Sequence, residues 1–210
     1  MNDLAYWNDY YNKNPPISYP SNFAKSILTY LQHGNHLVDL GCGNGRDSLF
    51  FLENGINVFG VDSCQIAIDS LKSITGSRKN IEFLCDDFIN NSYIYNRKYD
   101  YFYSRFTIHS ITEDEENILL SNVFNSLNHG GLFFIEVRGI HDEIYGKGEP
   151  AGRNAYIYNE HFRRFIVNDE LINALVNKGF EVIYNEESRG FAKYVNEDPL
   201  IIRIIARKNN

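Results

Sequence analysis

One short segment constrains the fold of this chain more than any other. A strand-like run at 36–40 leads directly into a loop that carries Gly41, Gly43 and Gly45, and a helical pattern follows. Glycines at such a turn let the backbone bend sharply and approach a ligand closely, because they have no Cβ atom. The segment predicts a buried strand, a glycine loop and a helix, with a nucleotide-like ligand at the carboxyl edge of a sheet.

Strand-like and helix-like segments alternate along most of the chain. Apolar runs of strand length lie at 36–40, 56–61, 81–84, 99–103, 132–137, 180–184 and 200–206. No helical pattern separates the last two runs, so these two strands are expected to be antiparallel. We therefore predict an α/β fold: a Rossmann-like, doubly wound, seven-stranded sheet that is mostly parallel, with an antiparallel last strand.

The chain is expected to form a single domain over residues 1–210. Residues 1–33 form an N-terminal helical cap in this interpretation. Residues 139–166 have no clear period and are rich in glycine, which predicts an irregular insertion on the substrate side. Ser21 and Asn168 are expected to cap helices, because their side-chain oxygens can accept from helical N–H groups.

Acidic residues follow the second and third predicted strands. Asp62 ends the second strand, 17 residues after Gly45. A carboxylate there is placed to accept hydrogen bonds from ribose hydroxyl groups. Asp86 and Asp87 end the third strand and precede Phe88, so a carboxylate and an aromatic ring are available to adenine. Taken alone, each acid is equally consistent with a solvent-exposed turn.

In this order, at three successive strand ends, these residues resemble the class I S-adenosylmethionine-dependent methyltransferases. The resemblance covers residues 34–138 in its motifs and extends to 207 through the closing strands. It implies that the glycine loop binds the methionine part of the cofactor, that Asp62 binds the ribose, and that Asp87, or alternatively Asp86, binds the adenine. The implied product is S-adenosylhomocysteine. The implied cofactor-binding residues are Asp39, Gly41, Cys42, Gly43, Gly45, Arg46, Asp62, Ser63, Asp86, Asp87, Phe88 and Ser104.

Two other enzyme classes fit less well. A dinucleotide-dependent oxidoreductase has a G-x-G-x-x-G fingerprint, whereas this loop has G-x-G-x-G spacing and the acidic Asp39 just before it. Enzymes that methylate amino groups of nucleic acids carry an Asn/Asp-Pro-Pro-aromatic motif after the fourth strand. Here the only similar run, at 14–17, lies before the glycine loop and is interpreted as a helix-breaking loop.

The segment after the fourth strand carries the candidate catalytic residues Arg105 and His109. They share a face if this turn is helical, at the edge where an acceptor meets the methyl group. His109 is equally consistent with a packing role. More arginines follow, and because guanidinium groups suit phosphate or carboxylate, we expect a small anionic substrate. The expected substrate-binding residues are Tyr6, Tyr11, Arg138, Tyr145, His161, Arg163 and Arg189.

Three segments resemble bacterial O-methyltransferases of cell-surface polysaccharide biosynthesis, namely 103–111, 136–138 and 161–165. This resemblance implies a phosphoramidate, or a phosphorylated or nucleotide-linked precursor of a capsular polysaccharide, as the acceptor. Three alternatives stay open. The acceptor is a sugar hydroxyl with His109 or His161 as general base, the substrate is a protein, or the chain binds the cofactor without turnover. The N-terminal aromatic residues either cover the site or pack in the core.

Charge and cysteine content narrow the partners and the compartment. Twenty Lys and Arg residues against 27 Asp and Glu residues give a formal net charge of −7, which argues against a nucleic-acid partner. Three unclustered cysteines predict neither a disulfide framework nor a metal site and favour the cytoplasm. We recognise no signal peptide or membrane span. The sequence leaves the oligomeric state open.

Overall fold

The computed structural model of the chain describes residues 4–13, 19–193 and 197–209, and the helix-breaking run at 14–17 lies outside these residues. The helices are α1 (Leu4–Lys13), α2 (Asn22–Ile27), α3 (Arg46–Glu53), α4 (Gln65–Thr75), α5 (Ser92–Tyr95), α6 (Glu113–Ser126) and α7 (Asn168–Asn177). The strands are β1 (His36–Leu40), β2 (Asn57–Asp62), β3 (Ile81–Cys85), β4 (Tyr99–Arg105), β5 (Leu127–Arg138), β6 (Glu149–Gly152), β7 (Ala155–Tyr158), β8 (His161–Arg164), β9 (Phe180–Ser188) and β10 (Ile201–Lys208). In these ranges, no helix has the length and apolar character that a membrane span requires.

Seven strands form one sheet in the order β3-β2-β1-β4-β5-β10-β9. Strands β1 to β5 run parallel, and β10 runs antiparallel to both β5 and β9. The predicted Rossmann-like sheet with an antiparallel last strand is confirmed. From β1 the chain moves outward to β2 and β3 and then returns to β4 on the other side of β1. This change of direction opens a crevice at the carboxyl ends of β1 and β4.

Helices cover both faces of the sheet, because consecutive residues of the central strands are apolar. On one face, α5, α6 and α7 pack against a cluster that includes Val38 and Phe133. On the other face, α2, α3 and α4 pack against a cluster that includes Leu37 and Phe134. Neighbouring residues enter opposite clusters, as the two-residue period of a strand requires. The strand ends are therefore the edges left open to a ligand.

The insertion at 139–166, which was expected to be irregular throughout, is irregular over 140–148 and regular beyond. It contains β6, β7 and β8, which form a three-stranded antiparallel sheet. Its turns are made by Asn154, Asn159 and Glu160, all with positive φ. Because these are not the glycine turns that mark most hairpins, and because each strand has only four residues, the pattern carried no clear period.

Ser21 caps α2 as expected, since its hydroxyl oxygen accepts from the backbone N–H of Ala24 at 3.0 Å. The prediction for Asn168 is wrong. Val167 is the cap residue of α7, and the side-chain oxygen of Asn168 is buried without a hydrogen-bond partner in the described ranges. A backbone hydrogen bond holds Ile166 to the end of β5, and the helix begins one residue earlier than the side-chain pattern predicts.

Candidate active site

The glycine loop between β1 and α3 bends around the end of β2. Gly41 and Cys42 both donate their backbone N–H groups to the carbonyl oxygen of Val61, at 2.8 and 3.0 Å. Gly41 has a φ of +71°, and a Cβ atom there would lie 2.2 Å from Cγ2 of Thr107. Glycine is required here both for the left-handed backbone and for the close approach of the segment after β4.

Two carboxylates flank this loop, of which Asp39 is buried and Asp62 is half-buried. Asp62, at the end of β2, accepts hydrogen bonds from the backbone N–H groups of Gly43 and Cys64, both at 2.8 Å. Asp39, in β1, accepts one from the Ser48 hydroxyl at 2.6 Å. Burial raises the pKa of Asp62, although its two N–H donors oppose the change. Burial raises the pKa of Asp39 to about 7, and the Ser48 hydrogen bond offsets only part of this effect. Both surroundings favour a cationic ligand, which would stabilise the ionised carboxylates.

A cavity of about 550 Å³ opens at the carboxyl ends of β1 to β4. Its wall contains both the glycine loop and the residues at the ends of β2 and β3. Asp87 reaches the wall and Asp86 does not, so Asp87 is the better candidate for the adenine-side acid. The predicted cofactor-binding residues on the wall are Asp39, Gly41, Cys42, Gly43, Arg46, Asp62, Ser63, Asp87 and Phe88.

Three predicted cofactor-binding residues lie beside the cavity and not on its wall. Gly45 is the N-cap residue of α3, with a φ of +74°. Asp86 is exposed, and its carboxylate accepts from the backbone N–H of Asp87 at 2.8 Å. Ser104 is buried, and its hydroxyl is hydrogen-bonded to that of Thr107. The contacts of these residues shape the surrounding loops, and a direct contact with the cofactor stays a prediction.

The end of β4 and the segment that follows it contribute Arg105, Phe106 and Thr107 to the cavity wall. Phe106 has a φ of +58°, and its backbone N–H donates to the carbonyl oxygen of Glu136 at 2.8 Å. A bulky residue in the left-handed region costs about 1–2 kcal/mol. Such strain concentrates at functional sites, where the surrounding structure enforces it. The conformation of Phe106 therefore marks this segment as part of the site.

Helix α1 closes one side of the cavity with aromatic side chains. Trp7, Tyr10 and Tyr11 lie on the wall. The hydroxyl oxygen of Tyr11 is 2.2 Å from the position that a Cβ atom of Gly43 would take, so the helix touches the glycine loop. Burial, followed by the charge of Asp62, raises the pKa of Tyr11. These three rings therefore line the cavity, and a covering role for them stays a prediction.

The downstream arginines expected to bind substrate are not on the wall and have partners of their own. Arg138 forms an ion pair with Asp142 at 2.7 Å, and Arg189 forms one with Glu143 at 2.7 Å. Arg163 donates to a backbone carbonyl oxygen of β7 at 2.9 Å. Of the four arginines expected at the substrate, only Arg105 lies on the wall. The sequence shows these cations but not the partners that hold them.

The two histidines expected at the substrate lie behind the wall. His109 and His161 are buried, with ring centroids 6.5 Å apart, and His161 stacks on Tyr6 at 4.8 Å. Nδ1 of His109 has no hydrogen-bond partner among the described residues. Burial, followed by the charges of His161 and three nearby arginines, lowers the pKa of His109 well below 6.5. Tyr145 also lies off the wall and donates to Asn154 at 3.0 Å.

Comparison with known families decides the class. The model of the methyltransferase domain family matches residues 17–185, a span that holds the glycine loop, both carboxylates and the Arg105 segment. The chain belongs to this family. The prediction of a class I S-adenosylmethionine-dependent methyltransferase is confirmed at this level, and with it the cofactor. The oxidoreductase alternative is set aside.

Individual relatives of this methyltransferase are distant. An S-adenosylmethionine-dependent methyltransferase from Methanosarcina mazei superposes with a TM-score of 0.75, at 21% identity over 88% of this chain and 97% of that one. A carboxy-S-adenosyl-L-methionine synthase from Idiomarina loihiensis is 23% identical over 56% of this chain and 50% of its own length. Phosphoethanolamine N-methyltransferase 3 from Arabidopsis thaliana is 25% identical over 69% of this chain and 31% of its own length. The matched region covers half or less of the length of each of these curated relatives.

The wall of the methyltransferase fits S-adenosylmethionine. Gly41 and Gly43 let Thr107 and Tyr11 pack directly against the loop backbone on the cavity wall, and Asp39 and Asp62 supply carboxylates for a cation. When bound, the cofactor supplies a methyl group on a positively charged sulfur atom. In the described ranges, no group of three or more His, Cys, Asp or Glu side chains could hold a metal ion.

Sequence reasoning missed several wall residues of the methyltransferase. Asp47 accepts hydrogen bonds from the backbone N–H and hydroxyl of Ser21 at 2.7 and 2.8 Å, and from the Tyr103 hydroxyl at 2.7 Å. Its place directly after Arg46, in the first turn of α3, was an available signal. Tyr103 gave no signal, because its place in an apolar strand predicts only core packing. The missed residues are Asn44, Asp47, Ile89, Tyr103, Phe106, Thr107, Ser110, Ile111 and Glu115.

Proposed function

We propose that the chain transfers the methyl group of S-adenosylmethionine to an oxygen atom of a small, negatively charged acceptor. Arg105 is the observation that carries this proposal. Its side chain is 23% exposed and lies on the wall of the same cavity as the glycine loop. A guanidinium group there suits a phosphate or carboxylate. An anionic oxygen is already a nucleophile, so Arg105 needs only to hold it in line with the methyl group.

The dimensions of the cavity support a small acceptor. About 550 Å³ must hold both the cofactor and the acceptor, and α1 closes one side of that space. Cavities of this size take small molecules and not extended polymers. We therefore do not favour a protein or nucleic-acid substrate.

The resemblance of 103–111, 136–138 and 161–165 to surface-polysaccharide enzymes supports a more specific acceptor. We propose a phosphoramidate, or a phosphorylated or nucleotide-linked precursor of a bacterial capsular polysaccharide. The thiols of Cys42, Cys64 and Cys85 are free, which is consistent with the cytoplasm as the place of action. A sugar hydroxyl with a histidine base has less support, because His109 and His161 lie behind the wall.

A nitrogen acceptor is the second candidate. The wall combines the aromatic rings of Trp7 and Tyr10 with carboxylates such as Glu115, and such surroundings suit an amine. The similar phosphoethanolamine N-methyltransferase has a name that implies an acceptor with both a phosphate and an amine. Arg105 would hold the anionic group in either case.

The test is an acceptor panel with S-adenosylmethionine labelled at the methyl carbon. The panel contains phosphate esters, phosphoramidates, carboxylates, amines and neutral sugars, and the readouts are S-adenosylhomocysteine release and the NMR shift of the new methyl group. We expect turnover of anionic members, and a KM about tenfold or more higher in Arg105→Ala with unchanged cofactor affinity. Equal turnover of neutral sugars would refute the anionic acceptor, and cofactor binding without turnover would favour a non-catalytic role.

A further inference from the structure

Three charged residues stand side by side across the centre of the sheet. Glu136 of β5 is in register with Arg105 of β4 on one side and with Arg203 of β10 on the other. Its Oε1 accepts from Nε of Arg105 at 2.9 Å, and its Oε2 accepts from Nε of Arg203 at 2.7 Å. One carboxylate therefore holds two guanidinium groups. We call these three residues the charged row.

Only one end of the charged row reaches the cavity. Glu136 is 1% exposed and Arg203 is 6% exposed. The guanidinium of Arg203 lies over the rings of Phe23 and Phe191, at 5.0 and 4.0 Å from their centroids, and donates to the Phe191 carbonyl oxygen at 3.0 Å. Arg105 lies on the cavity wall. A ligand therefore meets the row through Arg105 alone.

The charged row has two cations and one anion, which leaves one surplus positive charge. Because Glu136 occupies the Nε–H of Arg105, a ligand in the cavity meets the terminal NH2 groups of that guanidinium. The nearby carboxylate of Asp47 has its own partners, with Arg46 at 4.0 Å and two hydroxyl groups at 2.7 and 2.8 Å. Charges buried this deeply are poorly screened, so each one in the row acts on a ligand several ångströms away.

We propose that Glu136 and Arg203 set how strongly Arg105 binds the anionic group of the acceptor. This inference rests on the proposed function. Glu136 is a positioning residue that competes with the acceptor for the Arg105 guanidinium and so prevents the anion from binding too tightly to be released. Arg203 binds the second oxygen of the Glu136 carboxylate. It thereby offsets part of the negative charge of Glu136, so that Arg105 presents more positive charge to the acceptor. The ligand class is a phosphate or carboxylate group.

The two buried partners therefore have effects of opposite sign. The experiment measures the affinity of inorganic phosphate for the protein saturated with S-adenosylhomocysteine, by ³¹P NMR titration. We expect Glu136→Gln to bind phosphate about tenfold more tightly, because the surplus rises from one charge to two. We expect Arg203→Gln to bind it about fivefold more weakly, although residue 203 never touches the cavity. General damage to the fold would weaken binding in both variants.

A second ion pair in the same sheet supplies matched controls. Arg207 of β10 and Glu181 of β9 are 2.8 Å apart and about half exposed. Arg207→Gln and Glu181→Gln change the net charge by the same amounts, and each should leave the phosphate affinity within about twofold of the unmodified protein. The double variant Glu136→Gln/Arg203→Gln restores a surplus of one charge with a neutral buried pair. Its affinity should lie within about threefold of the starting value, and it serves if Glu136→Gln alone does not fold.

Different results separate this inference from the proposed function. Unchanged or weaker phosphate binding in a folded Glu136→Gln variant would overturn the inference. So would shifts of the phosphate affinity in the two exposed controls that are as large as those in the buried variants. For the double variant, an affinity far from that of the unmodified protein would do the same. If the unmodified protein binds no phosphate, or if Arg105→Gln binds it equally well, the anion site itself is wrong. Loss in Arg105→Gln with no change in Glu136→Gln would leave the proposed function standing and remove only the role of the row.

Discussion

Two parts of the cavity wall are held in place by different kinds of contact, and after the proposed function we call the glycine-loop part the cofactor half and the Arg105 part the acceptor half. In the cofactor half, the carboxylate of Asp62 is fixed by backbone N–H groups of the glycine loop and of the turn that follows β2. In the acceptor half, Arg105 is fixed by the side chain of Glu136, which lies 31 residues later in the sequence. Glu136 is in turn fixed by Arg203, another 67 residues later. One half depends on backbone conformation and the other on charged side chains from three strands.

This difference predicts how each half responds to change. Backbone contacts tolerate few substitutions, because only glycine adopts a positive φ without strain and has no Cβ atom. Side-chain contacts can be altered one at a time, and their charges can be adjusted without moving the sheet. Substitutions in the cofactor half should therefore cause a large loss of cofactor affinity in a single step. Substitutions in the acceptor half should instead change the acceptor affinity in graded steps.

The largest expected effect is on the backbone of the cofactor half. In Gly41→Ala the new Cβ atom would lie 2.2 Å from Thr107 Cγ2, at a φ of +71°. We expect about a 100-fold loss of S-adenosylmethionine affinity by calorimetry, since overpacking and backbone strain together cost several kcal/mol. Gly130→Ala is the matched control, because Gly130 has a φ of +75° but open space around it. Equal cofactor affinity in both variants would contradict the described loop.

A smaller effect in the same half concerns pH. Burial raises the pKa of Asp39 to about 7, so this carboxyl is largely protonated at pH 6 and ionised at pH 8. A cationic cofactor favours the ionised form. We expect affinity for S-adenosylmethionine to rise about tenfold between pH 6 and pH 8, with proton release on binding at the lower pH. Asp39→Asn should flatten this profile, and a slope that persists in the variant would assign the titration to another group such as Asp62.

The cofactor half was largely predictable from the sequence, because its signals are local. Strand, glycine loop and helix follow one another within about twenty residues, Asp62 comes directly after an apolar run, and Asp87 comes three residues after the next one. The order of these signals also implies the parallel sheet, since each strand must return to the same edge. The exceptions are Gly45, Asp86 and Ser104, which are sequence neighbours of wall residues. The sequence pattern does not determine which of two neighbouring side chains points into the cavity.

The acceptor half was less predictable, because its contacts are long-range. Nothing in the sequence pairs Glu136 with Arg203, and only the register of β5 and β10 brings them together. The same limit explains why the sequence did not predict the ion pair of Arg138 with Asp142, which is buried only after the chain has folded. A residue's charge is visible in the sequence, but the partner that neutralises it is not. Arg105 alone combined a strand-end position with a place on the wall.

A further prediction tests whether His109 belongs to the acceptor half or to the core. Its pKa is lowered well below 6.5, mainly by burial, so the folded protein excludes a proton that the unfolded chain binds below pH 6.5. This group therefore stabilises the fold fully above pH 6.5, and the contribution is lost as the pH falls toward the folded pKa. We expect His109 to account for about 1 kcal/mol of the stability lost between pH 7.5 and pH 5.5.

Urea unfolding at the two pH values measures this contribution. His109→Phe should lose that part of the pH dependence, whereas His129→Gln, at an exposed position, should keep it. A packing role leaves the pH profile of kcat/KM without a histidine-like limb near pH 6.5. If such a limb is present and disappears in His109→Phe, His109 acts as a base and the neutral hydroxyl acceptor regains support.

The smallest expected effect marks the outer limit of the acceptor half. Arg189 was predicted to bind substrate, yet it is half exposed, pairs with Glu143 and donates to the carbonyl oxygen of Asp198 at 2.6 Å. Exposed ion pairs of this kind contribute little, and Arg189 is not on the cavity wall. Arg189→Ala should therefore change the phosphate affinity and the acceptor KM by less than about twofold, against about tenfold for Arg105→Ala. A loss as large as that of Arg105→Ala would mean that the segment after β9 reaches the acceptor, and the acceptor half would then extend beyond the charged row to the edge of the sheet.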